Sequence, residues 1–153
     1  MKRILDKMQK EEILEDLKTR IHQKISDIQA LIAETRESNN ETKSSMGDKY
    51  ETGREMLAQQ INHLQNQLKV QLDFQNSLSK LTLDPSDRVK NGALVQTDKG
   101  WFYISIGFGE LMYQSTKIFA VSADAPLVKA MWNLKVGEKF DFNSNSLLIV
   151  EIF

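Results

Sequence analysis

The chain has 153 residues, a formal net charge of −1 and 41% hydrophobic residues, enough for one ordinary domain or for an extended element plus a small domain. So even a charge balance leaves no global basic field to draw the protein to nucleic acid or anionic lipid. The absence of cysteine excludes disulfides and thiolate metal sites. No apolar run approaches the roughly 20 residues of a membrane span, and MKRILDKMQKEEILEDLK has no signal-peptide pattern, so a cytoplasmic protein without membrane contact is expected.

Composition divides the chain. Ten of the twelve aromatic residues follow residue 100, and both prolines, Pro85 and Pro126, follow residue 84. Such a shift is expected where a helical element hands over to a compact β-rich domain. The boundary falls in LDPSDR, because Pro85 disfavours helix at Asp84 and cannot continue one itself. The expected domains are therefore 1–83, helical, and 84–153, α+β.

In the first segment Leu14, Leu17, Ile21, Ile28 and Leu31 form an a/d seam, with Lys24 at one d position and Ile25 beside it. In the second, Leu57, Ile61, Leu64, Leu68 and Leu78 continue the same pattern, with Leu72 and Phe74 near its edge. Each stripe is narrow, so each helix is marginal alone and needs a partner. RESNNETKSSMGD, residues 36–48, has no apolar period and ends the first helix. An antiparallel hairpin follows, its tip near 38–55, with arms of about 25–30 residues and a length of roughly 40–45 Å. A coiled coil between chains, with the break as a kink, is the competing arrangement; two short stripes of similar length favour the hairpin.

After Pro85 the pattern is strand and turn. GALVQT (92–97), the turn Asp98-Lys99-Gly100 and WFYISI (101–106) predict a hairpin. STKIFAVS (115–122) predicts a strand, and APLVKAMWNL a short helix with proline in its first turn. KFDF (139–142), a tight NSN turn and SLLIVEIF (146–153) predict a closing hairpin. Five or so strands and one short helix suffice for a small core, in which Trp101, Phe102, Trp132, Phe140, Phe142 and Phe153 are expected.

Two stretches resemble the bacterial Gre transcript-cleavage factors. FAVSADAPLVKAMWNLKVGEKFDF (119–142) is similar to the family's strand, Ser-Pro-Leu, short helix and Lys-Val-Gly-Asp turn, matched here by Pro126-Leu127, Ala130-Met131 and Lys135-Val136-Gly137-Glu138. Gly47-Asp48-Lys49-Tyr50-Glu51 is similar to the family's tip, Gly-Asp, two variable residues and Glu. The family's order of parts, an antiparallel coiled coil and then an FKBP-like domain, covers nearly the whole chain. The tip then departs, with Thr52-Gly53-Arg54-Glu55 where the family has Asn-Ala-Glu-Tyr, and Ser122–Ala125 hold a small insertion.

The resemblance implies an RNA polymerase-binding elongation factor, monomeric, that inserts its tip into the polymerase secondary channel and promotes Mg²⁺-dependent cleavage of backtracked RNA. It is then no enzyme itself but an activator of the polymerase's own hydrolysis. Asp48 and Glu51 would be the accessory catalytic and metal-ligating residues, holding Mg²⁺ only jointly with the polymerase, with no cofactor bound tightly by this chain. Lys49, Tyr50, Arg54 and Glu55 are the candidate partner contacts. The RNA 3′ end would be met only indirectly, and no sequence-specific DNA binding is implied. The alternative is a relative that occupies the channel and modulates synthesis without cleavage.

Taken without the resemblance, SSMGDKYETGRE (44–55) also fits a solvated loop and helix start, with Ser45 as cap and carboxylates suited to a helix N-terminus. His22 and His63 stand alone as surface residues. No phosphate loop, nucleophile elbow or HExxH is present. A prolyl isomerase, suggested by the FKBP-like part alone, and a plain coiled-coil adaptor remain the other classes.

Overall fold

The computed structural model describes residues 7–46 and 51–153, and the side-chain surroundings of 9–38 and 53–153. Two long helices, α1 (Lys7–Met46) and α2 (Glu51–Ser79), precede a six-stranded sheet with one short helix, the α+β architecture expected from the sequence. By their contacts the residues form two compact units, Met1–Asp16 with Ser77–Phe153, and Leu17–Asn76.

In the Leu17–Asn76 unit, Lys24, Asp27 and Ile28 of α1 line one groove with Gln67, Val70 and Gln71 of α2. Low numbers on one helix thus meet high numbers on the other, which makes the pair an antiparallel hairpin within one chain. The buried seam differs from the expected one. After Leu17 and Ile21 it runs through Ile25, Ile32 and Thr35, while Leu31 is 48% exposed and Lys24 lies outside it. A strict heptad drifts about 20° per repeat around a straight helix, and the step from Ile21 to Ile32 is the 11-residue spacing that cancels this drift. On α2, Leu64 is buried, Leu57, Ile61, Leu68 and Phe74 are half-buried, and Leu72 is exposed.

α1 also runs further than expected, through residues 36–46 to Met46. Ser, Asn and Thr cost only tenths of a kcal/mol each in a helix. Glu37, Glu41 and Lys43 are good helix formers, and the first glycine comes at position 47. Ser45 therefore lies within α1 and is not the cap of α2.

The sheet has the order β3-β4-β2-β1-β6-β5. Its strands are β1 (Leu94–Thr97), β2 (Gly100–Ile104), β3 (Gly109–Tyr113), β4 (Thr116–Val121), β5 (Lys139–Phe142) and β6 (Asn145–Ile152), with α3 (Pro126–Met131) between β4 and β5. All neighbours are antiparallel except β2 and β4. β3, at the edge, was not expected. Its hairpin to β4 turns on Gln114-Ser115, both with positive φ (47° and 68°), where the usual sequence signal is Asn-Gly or Asp-Gly. Asn143-Ser144 makes the same kind of turn between β5 and β6 with a more typical residue first.

Alternation along the strands gives each face its own set of side chains. Val95, Phe102, Ile104, Phe140, Leu147 and Ile149 form one core with Val128 and Met131 of α3. Leu94, Trp101, Tyr103, Ile118 and Ala120 point the other way and are equally buried. The first turns of α1 reach this second group. The Lys10 ammonium, 1% exposed, donates to the Phe153 oxygen at 3.0 Å and the Asp84 carbonyl at 3.3 Å, and the Tyr113 hydroxyl bonds to the Glu12 carboxylate. Trp101 and Phe153 stack 6.1 Å apart beside that tie. Of the aromatics expected in the core, Trp132 is 44% exposed, and Phe142 is half-buried.

Two side chains test this packing. Lys10→Ala removes both the buried stem and its charge-assisted hydrogen bonds, and urea denaturation should show a loss of about 2–4 kcal/mol. Tyr103 is fully buried with no partner for its hydroxyl among the described residues, so Tyr103→Phe should leave stability unchanged or raise it by up to about 1 kcal/mol. Burial also pushes the Tyr103 pKa well above its ordinary value. Unfolding above about pH 10 then releases a proton, stability falls as pH rises through that range, and Tyr103→Phe should reduce the slope.

Candidate functional site

Four residues, 47–50, join the end of α1 to the start of α2. Asp48, Lys49 and Tyr50 lie outside the described residues, as does the side chain of Glu51, whose backbone opens α2. The stretch singled out by its carboxylates is thus the connection itself plus the first turn of α2. Of the other expected contacts, Glu55 is exposed on α2, and Arg54 is half-buried and already makes an interaction of its own.

The start of a helix suits carboxylates, because the first turn of amide N–H groups has no partner within the helix and carries partial positive charge. Glu51 and Glu55 are one helical turn apart on α2, which brings positions i and i+4 onto the same side. Gly53 lies between them, and a Cβ built on it meets no atom within 4 Å. Among the described residues, therefore, nothing sterically requires glycine here.

Elsewhere in the same unit the groove at Lys24, Asp27, Ile28, Gln67, Val70 and Gln71 has a volume of about 380 Å³ and is open to solvent. The Gln71 side-chain oxygen is buried there with no hydrogen-bond partner among the described residues. His22 and His63 are both exposed, and the His63 ring lies 3.2 Å from the Gln67 amide. Among the described residues no group of three or more His, Cys, Asp or Glu side chains is placed to hold a metal ion. No described helix is long and apolar enough to cross a membrane.

No family model and no curated protein matches the chain. Solved structures do. The transcription factor Gfh1 aligns over 88% of this chain and 92% of its own at 17% identity, with a TM-score of 0.37. GreA factor homolog 1 (Gfh1) of Thermus thermophilus aligns over 89% and 94% at 16% identity, with a TM-score of 0.38. Gfh1 of Thermus aquaticus aligns over 88% and 92% at 14% identity, with a TM-score of 0.35.

Gly53 offers a direct test of the helix start. Gly53→Ala should stabilise the hairpin by up to about 1 kcal/mol, since alanine lowers the entropy lost on forming the helix and meets no clash. Thermal melts of the two proteins followed by helical circular dichroism check this; an unchanged or lower midpoint would count against a regular helix at this position.

Proposed function

We propose that the chain is an RNA polymerase-binding factor whose hairpin tip supplies carboxylates to the polymerase's own catalytic centre and promotes cleavage of backtracked RNA. One observation carries the reading: Gly47-Asp48-Lys49-Tyr50-Glu51, the segment similar to the Gre tip, occupies the connection between two long antiparallel helices. A catalytic loop of a self-contained enzyme would lie over a core pocket. This one lies at the end of a hairpin whose seam holds only a narrow apolar stripe, an arrangement suited to reaching into another molecule.

The donor set fits Mg²⁺. Carboxylate oxygens are the ligands this ion prefers, and it commonly takes only one or two of them from protein, completing its octahedron with water and substrate oxygens. When bound, the ion supplies a more acidic water and screens charge on the phosphodiester. Asp48 and Glu51 would be its ligands from this chain, and two carboxylates are too few to hold it without the partner's own. Their further contribution is to orient a water by accepting its hydrogen bonds. Lys49 and Tyr50 are suited to contacts with the channel wall or the RNA backbone, and Glu55 extends the acidic side of the helix by one turn. The protein is monomeric on this reading and works in the compartment of the polymerase, the cytoplasm.

The departure from the Gre pattern at Thr52-Gly53-Arg54-Glu55 keeps a second outcome in play, a channel-occupying regulator that modulates synthesis without cleavage. A stalled, backtracked elongation complex with Mg²⁺ separates the two. Wild-type protein should shorten the RNA, and Asp48→Ala with Glu51→Ala should lower that rate at least a hundredfold while polymerase binding stays within threefold. Binding that slows synthesis with no shortening would replace the cleavage reading by the regulatory one. Failure to bind polymerase at all would remove both.

A further inference from the structure

The sheet ends on β3 and β5, and a strand at an edge leaves half of its backbone groups without a ladder partner. Hairpin geometry says which ones. Tyr113 and Thr116 flank a two-residue turn with positive φ at both residues, so they form a hydrogen-bonded pair, and bonded pairs then alternate along the strands. Tyr113, Leu111 and Gly109 therefore bond to β4, while the N–H and C=O of Glu110 and Met112 point out of the sheet. Among the described residues, no loop or helix backbone bonds to that outer side.

Such edges are usually guarded by charge, by shortness or by a cover. The same alternation about the Asn143-Ser144 turn puts Lys139 and Asp141, both charged and exposed, on the outer backbone of β5, a strand of 4 residues. On β3 the guard is incomplete. The Glu110 carboxylate lies 3.7 Å from the Lys117 ammonium of its own sheet. The other outward residue, Met112, is apolar and 52% exposed. Side chains two apart share a face, so Glu110 and Met112 stand side by side along the edge.

We propose that β3 pairs with β3 of a second copy of this chain, antiparallel and about a two-fold axis at Leu111. The edge itself selects this occupant and this register. With the axis at Leu111, Glu110 of each copy meets Met112 of the other. Each such pair exchanges both of its N–H···O bonds, and every outward group of the two strands is satisfied. Placed at Glu110, the axis would set two carboxylates against each other, which is unfavourable. Placed at Met112, it would pair Glu110 with Gln114, a turn residue with φ of 47°. An edge of 5 residues removes far less surface than the roughly 1,600 Å² of a standard interface, so the pair is weak and forms at high concentration. The single chain that the proposed function calls for is the form at low concentration, and the pairing does not rest on that function.

Sedimentation equilibrium of the full chain over a range of concentrations tests this. The wild type should rise from monomer toward dimer mass. Met112→Pro removes an outward N–H that β4 does not use, and should weaken the pair at least tenfold. Met112→Glu, facing Glu110 of the other copy, should do the same. Met112→Lys meets that carboxylate with the opposite charge and should pair within threefold of wild type or more tightly. Circular dichroism melts check that each variant is folded, and the contrast between Glu and Lys decides the matter even where the proline variant loses its fold. A wild type that stays monomeric at about 1 mM overturns the proposal, since that excludes even a weak pair. Equal affinities for the Glu and Lys variants overturn it too, because contact without this register does not distinguish the sign of the charge. A folded Met112→Pro that pairs as tightly as wild type removes β3 as the edge concerned.

Discussion

A single buried cation joins the two ends of the described chain. The Lys10 ammonium, on the second turn of α1, is bonded to backbone oxygens of Phe153 on the last strand and Asp84 in the segment after α2. An ammonium taken from water without partners is strongly unfavourable, so these bonds do more than add stability; they are the condition on which this turn of α1 can bury Lys10. The Phe153 oxygen also accepts the Leu94 N–H, so the tie joins the end of the β1–β6 ladder inside the sheet. The Tyr113 hydroxyl on the edge strand β3 adds an exposed bond to the Glu12 carboxylate of the same helix. The base of the first helix thereby becomes part of the β-rich unit, although composition alone divides the chain at residues 83 and 84.

Beyond the base, the hairpin depends on a different constraint. Its two helices share only a narrow apolar seam, and the seam stays between them because its spacing follows the real pitch of the helix. Ile25 and Ile32 are inside; Leu31, which a strict heptad would bury, is not. The two helices, of 40 and 29 residues, keep this seam without a strict heptad. Polar residues at 36–46 cost this arrangement little, because a helix already propagating adds each residue cheaply even where side chains contribute no packing.

What the sequence makes legible is set by how local each determinant is. Pro85, Pro126, the Asp98-Lys99-Gly100 turn and the Asn143-Ser144 turn all act through their own backbone, and the elements they bound are found where they were expected. β3 was missed because its turn uses Gln114-Ser115, residues that reach positive φ only when the strands on both sides hold them there. Lys10 reads as one more residue of a polar helix face, because its partners are backbone oxygens 74 and 143 positions away that carry no side-chain signature. Trp132 reads as core by composition; its exposure follows from a clamp between Val89 and Asn133 that no periodicity encodes. At the candidate site the loss of apolar period over 36–48 announced a break between two helices but ended α1 too early, since polar residues carry the helix on to Met46; the residues that would touch a partner are legible only through the Gre resemblance.

Affinity and catalysis make different physical demands on such a factor. Two carboxylates contribute little binding energy, since charges in water are already well solvated and Mg²⁺ sites with so few protein ligands are weak. A factor that works through such a tip must obtain its affinity from another surface, one with apolar area to remove from water. Both units leave large apolar side chains in solvent, Leu31, Met56, Val70 and Leu72 on the helices and Met112, Trp132, Val136 and Val150 in the β-rich unit. Surface of either kind can supply that area, which leaves the tip free to be polar and acidic, as the proposed role requires.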